Sequence, residues 1–335
     1  MTKKSILSFI LYMSDVITIG ASTRDVFLFS DQFKFISSDQ FETGIGECVT
    51  FGTKIDIDRV VYTTGGGATN TASTFARLGF STACVSQIGE DTAGKDVVND
   101  LKHEGIKTSF IRTIKKEGTA YSTLLTAPNG ERTVLVYRGA SAHFVSASIP
   151  WKNMRAHCFY LTSLGGNIPI IKQILHYAQK QKTFVVWNPG AQEIEKGLAT
   201  IQKLLPFVDV FSVNREEAEK LTGEKEITNM MRILTTPHHI TIVTDGARGA
   251  YAYTNGHTFF ATSTDAKAIS RTGAGDAFGS GFVAGFLKTQ SLESSLKIAV
   301  LNAESVIQKI GAKAGILHTW PSSSQMKRIR IEEYT

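Results

Sequence analysis

The chain has 335 residues, 42% hydrophobic and 20% charged, which is enough for a sizeable core in one large domain or two modest ones. Its net charge of +6 is spread along the length, and the one basic cluster, Lys327–Arg328–Arg330, has no interleaved aromatics. It reads as a solvated tail rather than a nucleic-acid interface, while a mildly basic enzyme of anionic substrates fits the balance equally well. Cys48, Cys84 and Cys158 form no CxxC pair, so neither a disulfide framework nor a zinc site follows and a cytoplasmic setting is expected.

Residues 1–14 read as an N-terminal extension: Lys3–Lys4 and SILSFILYM mimic a secretory leader, but no small-residue cleavage site follows. No run approaches the ~18–20 apolar residues that span a bilayer, so no membrane is expected as a partner. Strand DVITIG (15–20) opens the core, followed by helix 68–80, strand 82–89 and helix 91–105. Strand 158–163, helix 168–181, strands 183–188 and 208–213, helix 215–223 and strand 239–246 continue the alternation. Val/Ile-rich strands separated by helices predict an α/β fold with a doubly wound, mostly parallel sheet flanked by helices.

Two stretches break that rhythm. Residues 22–64 hold DVFLFS (25–30) and TKIDIDRVVYTT (53–64), and residues 107–137 hold KTSFIRTI, AYSTLLTA and RTVLVY, the last two joined by the turn PNGE (128–131). Alternating, aromatic-rich pieces of this kind predict a small antiparallel β-sheet formed by two excursions from the main body. Such a sheet serves as a lid, as the surface of a homodimer, or as a structural flap. The organisation is thus a single domain over 15–320 with excursions at 22–64 and 107–137, and a C-terminal tail at 321–335.

The chemistry concentrates in SRTGAGDAFGSG (270–281), between an apolar run and an apolar helix. A dinucleotide fingerprint does not fit, because Phe278 stands where the third glycine belongs. No Walker A motif occurs in the chain. Gly279, Gly281 and Gly285 also suit a tightly packed helix. Backbone N–H groups of Gly273, Ala274 and Gly275 at a helix start can cradle a transferring phosphoryl group. Asp276, in the first turn, would then face the attacking hydroxyl and accept its proton.

Other segments complete a constellation. TTGGGATNTA (63–72) puts Gly65 and Gly66 before a helix with Asn70 in its first turn, a backbone that approaches a polyol plus a side chain that both donates and accepts. Asp25 offers a carboxylate that can grip a diol, or is a solvated loop residue. Asn214 and Glu217 sit where a strand meets a helix; they suit water-mediated Mg²⁺ binding beside phosphates, or equally form a capping box. Thr244 and Gly246, at another strand end, suit nucleotide phosphates.

These elements in this order resemble the PfkB/ribokinase family of carbohydrate and nucleoside kinases, over about residues 15–315, with GGGATNTA…RLGF and RTGAGDAFGSGF as its two signatures and NREE between them. The resemblance implies a ribokinase-like fold with a β-sheet lid, ATP and Mg²⁺ as cofactors, and phosphorylation of a hydroxymethyl group. It implies Asp276 as catalytic base and Gly273, Ala274 and Gly275 as anion hole. Asp25, Gly65, Gly66 and Asn70 match substrate-gripping positions, and Asn214 and Glu217 match the element for Mg²⁺ and phosphate. Thr244, Gly246 and the segment around Asn302 would line the nucleotide site. Many members carry an aspartate six residues before the base that helps hold a monovalent cation; here Ser270 stands there, followed by Arg271, so K⁺ activation is expected to be weak or absent.

The acceptor is less legible. Phe33, Phe35, Phe41 and Phe51 offer aromatic surface for a base or simply pack the lid. Arg138, in VLVYRGASAHF, suits a carboxylate or phosphate on an acidic sugar or sugar phosphate. A non-catalytic binding protein that keeps the fold is the alternative from another class, against which the intact Asp276 and its companions speak.

Overall fold

The structure, a computed structural model, describes residues 14–41, 43–126, 132–237 and 239–334. Strand β1 (Ser14–Ile19) is buried on both faces, and its Val and Ile run supplies side chains to helices on either side. The chain then leaves the body. Strand β2 (Thr23–Phe29) leads to a separate hairpin, β3 (Lys34–Ser37) with β4 (Ile45–Cys48), and returns through β5 (Arg59–Gly65). Helix α1 (Gly67–Arg77), β6 (Thr82–Gly89), α2 (Thr92–His103) and β7 (Ile111–Ile114) follow. A second excursion is made by β8 (Ala120–Thr126) and β9 (Arg132–Tyr137).

From there the body runs β10 (Ala156–Leu161), α3 (Ile168–Gln181), β11 (Phe184–Trp187), and the short helices α4 (Ala191–Ile194) and α5 (Leu198–Gln202). It continues with β12 (Val210–Asn214), α6 (Arg215–Thr222), α7 (Ile227–Leu234) and β13 (Ile240–Thr244). The antiparallel strands β14 (Ala250–Thr254) and β15 (His257–Ala261) lead to the paired helices α8 (Ala274–Thr289) and α9 (Leu292–Ile307), then to α10 (Ser323–Met326) and β16 (Ile331–Tyr334).

The large sheet has the order β16-β15-β14-β13-β12-β11-β10-β1-β6-β7, parallel from β13 to β7 and antiparallel beyond β13. Strand β1 pairs with β6 on one side and β10 on the other, so strand order reverses there, and the crevice outside the carboxyl ends of these strands is where such sheets bind ligands. One core layer packs α3, α6 and α7 on the sheet through residues such as Trp187, Phe211 and Ile174; the opposite layer packs α1, α8 and α9 through Phe75, Phe282 and Leu296.

Three expectations need correction. KTSFIRTI does not join the small sheet: β7 pairs in parallel with β6 at the edge of the large one, and its exposed Arg112 and Thr113 between half-buried isoleucines are what an edge strand shares with a lid strand. The small sheet, order β5-β2-β8-β9, is antiparallel in its outer pairs, but its central pair β2–β8 is parallel because both excursions leave the body in one direction. Residues 321–335 are not a loose tail, since β16 extends the large sheet and Arg328 pairs with Glu304 at 2.6 Å. The turn PNGE and nearly all of the N-terminal extension lie outside the described residues. Among the described residues no helix is long and apolar enough to cross a membrane.

Candidate active site

The site grows from two helix starts that face each other. Gly66, at φ 92°, caps α1, and a methyl group on it would stand 2.4 Å from the Ala21 carbonyl oxygen. Only glycine fits there, and the turn brings the α1 start beside the end of β1. Gly273, at φ 81°, caps α8, and a Cβ on it would lie 2.4 Å from that of Ala312. From these ends, Asn70 on α1 donates through Nδ2 to Oδ2 of Asp276 on α8 at 2.8 Å. Burial pushes the Asp276 carboxyl above its usual range, the Asn70 bond opposes that shift, and the negative charge of Asp25 adds to it.

Asp25 lies in the middle of β2, not in a loop, and is buried. Thr23 Oγ1 donates to its Oδ1 at 2.8 Å, and Gly65 lacks the Cβ that would stand 1.9 Å from its Oδ2. Burial raises its carboxyl too, against bonds from Thr23 and Ser122 and the charges of Lys313 and Arg24. Asp25, Gly65, Gly66, Asn70 and Asp276 therefore form one cluster, in which two carboxylates and an amide present acceptors and donors to hydroxyl groups.

The amides at the α8 start are differently engaged. The Ala274 N–H reaches the Arg271 carbonyl at 3.3 Å, whereas Gly275 is exposed with no atom within 4 Å of a notional Cβ. Further along α8, Gly279, Gly281 and Gly285 pack against the Tyr160 hydroxyl, Asn302 and Ser295, so these three serve helix packing.

A second group lies at the ends of β12 and β13, where Asn214 and Thr244 are register partners on adjacent parallel strands. Asn214 and Glu217 form a reciprocal capping box: Asn214 Oδ1 accepts from the Glu217 N–H at 2.8 Å, and Glu217 Oε2 from the Asn214 N–H at 2.9 Å. The box leaves the Asn214 NH₂ and the second Glu217 oxygen to hold water. Burial raises the Glu217 carboxyl, and the charge of Asp276 contributes to that shift, which links the two groups electrostatically. Gly246, at φ 55°, opens an exposed turn with no atom within 4 Å of a notional Cβ, room for a phosphate to approach the backbone. Among the described residues no group of three or more His, Cys, Asp or Glu could cage a metal.

The Asn302 side chain turns into the core. It is fully buried, its Nδ2 donates to the Ala277 carbonyl at 2.8 Å and Thr74 Oγ1 at 3.3 Å, and its Oδ1 accepts from the Leu317 N–H at 3.0 Å. Three elements share one amide, so none of it is left for a nucleotide. Arg138 follows β9 and is exposed; the turn after it is held at the lid base, where the Ser141 hydroxyl donates to the Ser22 carbonyl at 3.2 Å. Ser270 is buried, with its N–H on the Ile307 carbonyl at 3.1 Å and its hydroxyl accepting from the Thr272 N–H at 3.4 Å.

Two residues escaped the sequence reading. Glu193 is fully buried and accepts from Ser163 Oγ at 2.7 Å and from the N–H groups of Leu164, Gly166 and Gly190 at 2.8, 2.8 and 3.0 Å, which fixes the loop after β10. Asp245 accepts from Arg215 at 3.0 Å and from two nitrogens of Arg248 at 2.8 and 2.7 Å, which pins the turn between Thr244 and Gly246. The only sequence signal for either is the neighbouring glycines.

Comparison with known proteins gives the family. An uncharacterized sugar kinase of Archaeoglobus fulgidus is 30% identical over 249 residues, covering 72% of this chain and 97% of that protein. The ribokinase of Haemophilus influenzae is 28% identical, covering 75% and 83% of the two chains. The structure of Arabidopsis thaliana ribokinase complexed with ribose and ATP has the same fold, with a TM-score of 0.73, 18% identity, and 94% and 97% coverage. The family description "pfkB family carbohydrate kinase" matches residues 13–320, and the chain belongs to that family of phosphotransferases.

Proposed function

We propose that this kinase transfers the terminal phosphoryl group of ATP to a hydroxymethyl group of a neutral sugar or nucleoside, with Asp276 as general base. The Asn70–Asp276 bond carries the reading: it holds a half-buried carboxylate between the helix start suited to phosphate and the pocket that holds Asp25. A carboxylate raised above its usual range is a stronger base. Asp25, Asn70 and the bare backbone of Gly65 and Gly66 would hold the acceptor diol, and the amides of Gly273, Ala274 and Gly275 would meet charge developing on the phosphoryl oxygens.

The donor would lie across Asn214, Thr244 and Gly246. Asn214 and Glu217 would orient water on a nucleotide-bound Mg²⁺, which supplies positive charge to the phosphates when bound. Two carboxylates in the acceptor pocket favour a neutral polyol over an acidic or phosphorylated sugar. Arg138 is the one feature that supports the charged acceptor.

ADP release measured with ATP against D-ribose, neutral hexoses, sugar acids, sugar phosphates and adenosine tests the reading. Turnover of a neutral sugar or nucleoside supports it. Turnover confined to acidic or phosphorylated sugars would assign the acceptor to Arg138. ATP consumption with none of them would return the chain to a binding role.

A further inference from the structure

Three consecutive residues of the loop after α9 touch three parts of this site. Gly311 packs on Thr63 of β5, where a Cβ would stand 2.9 Å from Thr63 Cγ2. Ala312 packs on Gly273 at the anion hole. The Lys313 side chain is 9% exposed, and its Nζ donates to Thr64 Oγ1 at 2.5 Å and to the Asp100 carboxylate on α2. The Thr64 hydroxyl in turn donates to the same Asp100 oxygen, so ammonium, hydroxyl and carboxylate close a triangle. The loop is held from behind by Arg77 of α1, which donates to the Lys313 and Ile316 carbonyls at 2.8 and 3.1 Å while paired with Glu104.

Thr64 immediately precedes Gly65, whose bare Cα lies against the Asp25 carboxylate. The Lys313 ammonium thus stands one hydrogen bond and one residue from the proposed acceptor grip. A buried ammonium costs several kcal/mol of desolvation unless paired, and here Asp100 and the Thr64 hydroxyl pair it. Asp100 is only its partner on the solvent side, being 38% exposed.

We propose that Lys313 is a positioning residue of the acceptor site: it locks the base strand of the lid to α2 and to the anion-hole loop, and through Thr64 it fixes the Gly65 backbone that lies against Asp25. The inference rests on the reading that Asp25 grips the acceptor. The charged groups around Asp25 are Arg24 on its own strand, Lys313 from the loop after α9 and Asp276 from α8; those around Lys313 also include Asp100 of α2 and the buried Cys84 thiol of β6. The Lys313 charge lowers the Asp25 carboxyl against its burial, so removing that charge moves Asp25 further up. Protonation of the grip then begins at higher pH.

The test is steady-state kinetics of Lys313→Met, Lys313→Arg and Asp25→Asn, with D-ribose or the best acceptor of the panel above. Lys313→Met should raise acceptor KM about tenfold or more, the scale of a lost charged hydrogen bond, with ATP KM within about twofold. It should also move the acid limb of kcat/KM to higher pH, and Lys313→Arg should restore part of both. If Asp25→Asn raises acceptor KM while folded Lys313→Met changes neither KM nor the acid limb, the Lys313 proposal fails alone. If Asp25→Asn leaves acceptor KM unchanged, the underlying reading fails. Should Lys313→Met not fold, Thr64→Val, which severs the bond and keeps the charge, must raise acceptor KM; an unchanged KM there overturns the proposal.

Discussion

Asn70 and Asp276 meet at 2.8 Å across 206 residues of sequence, and the bond joins the two helix starts that build the site. Asp276 lies in the first turn of α8, where the helix dipole favours an anion, yet burial and the charge of Asp25 keep its carboxyl above the usual range. Its fold therefore holds a base at some cost in stability. Asp276→Asn should reduce kcat by about 10²–10⁴-fold while acceptor and ATP still bind by calorimetry. The same variant should melt higher than the parent at pH 7, since it removes a charge that burial penalises. Full activity in the variant would exclude Asp276 as the base.

The pH dependence of stability follows with a definite sign. Asp25, Asp276 and Glu217 are all raised by burial in the folded protein, so between the unfolded and folded values the native state binds more protons. Their contribution is most favourable below the ordinary carboxylate range and is lost as pH rises through the folded values. Asp91, Asp100 and Asp245 are lowered despite burial, by hydrogen bonds and paired cations, and act in the opposite sense at lower pH. Asp25→Asn and Asp276→Asn should each flatten the decline in denaturant-derived stability as pH rises above about pH 4. A steeper decline in either variant would contradict the assignment.

Asn302 should behave as a packing residue. It joins α8, α1 and the Leu317 loop by three hydrogen bonds, and Asn302→Leu would leave the Leu317 N–H without this acceptor and remove one donor from the Ala277 carbonyl. The expected loss is about 2–4 kcal/mol in urea unfolding, with KM for ATP within about twofold on the folded enzyme. A large rise in ATP KM at unchanged stability would restore it to the nucleotide site.

These contrasts show what the sequence carried. Periodicity placed 82–89 and 168–181 at the bounds that the structure shows, because each is a long element with one clear pattern and flanking turn residues. The glycine turns and Asp276 were legible because close backbone approach demands glycine at fixed spacing. Asn214 and Glu217 read two ways, and the structure shows the capping box while leaving atoms for water. Glu193 and Lys313 were missed, and the packing of Asn302 was not foreseen, because most of their partners lie far along the chain, so no local pattern marks them.

The lid offers a surface for a second copy of the chain. Val60, Tyr62, Leu135 and Tyr137 are 42%, 60%, 56% and 52% exposed, and strand register puts all four on the face of the small sheet opposite Asp25. An exposed apolar face of this kind favours burial against its own copy. Sedimentation should show a dimer for the parent and a monomer for Tyr62→Glu with Leu135→Glu. A monomeric parent at tens of micromolar would dismiss the lid dimer.

Ser270 bears on the expected cation dependence. It is buried and its hydroxyl accepts from the Thr272 N–H, so it offers at most a weak neutral oxygen where the family often has a carboxylate. A monovalent cation gains its binding energy from anionic or multiple carbonyl ligands, and one occupied hydroxyl adds little. Exposed Arg271, next in the chain, brings positive charge to the same turn and opposes a second cation. Turnover in K⁺ should match turnover in a large organic cation within about twofold, and a tenfold K⁺ dependence would overturn the argument. Ser270→Asp supplies the missing charge six residues before the base, and it should create a K⁺ response that the parent lacks.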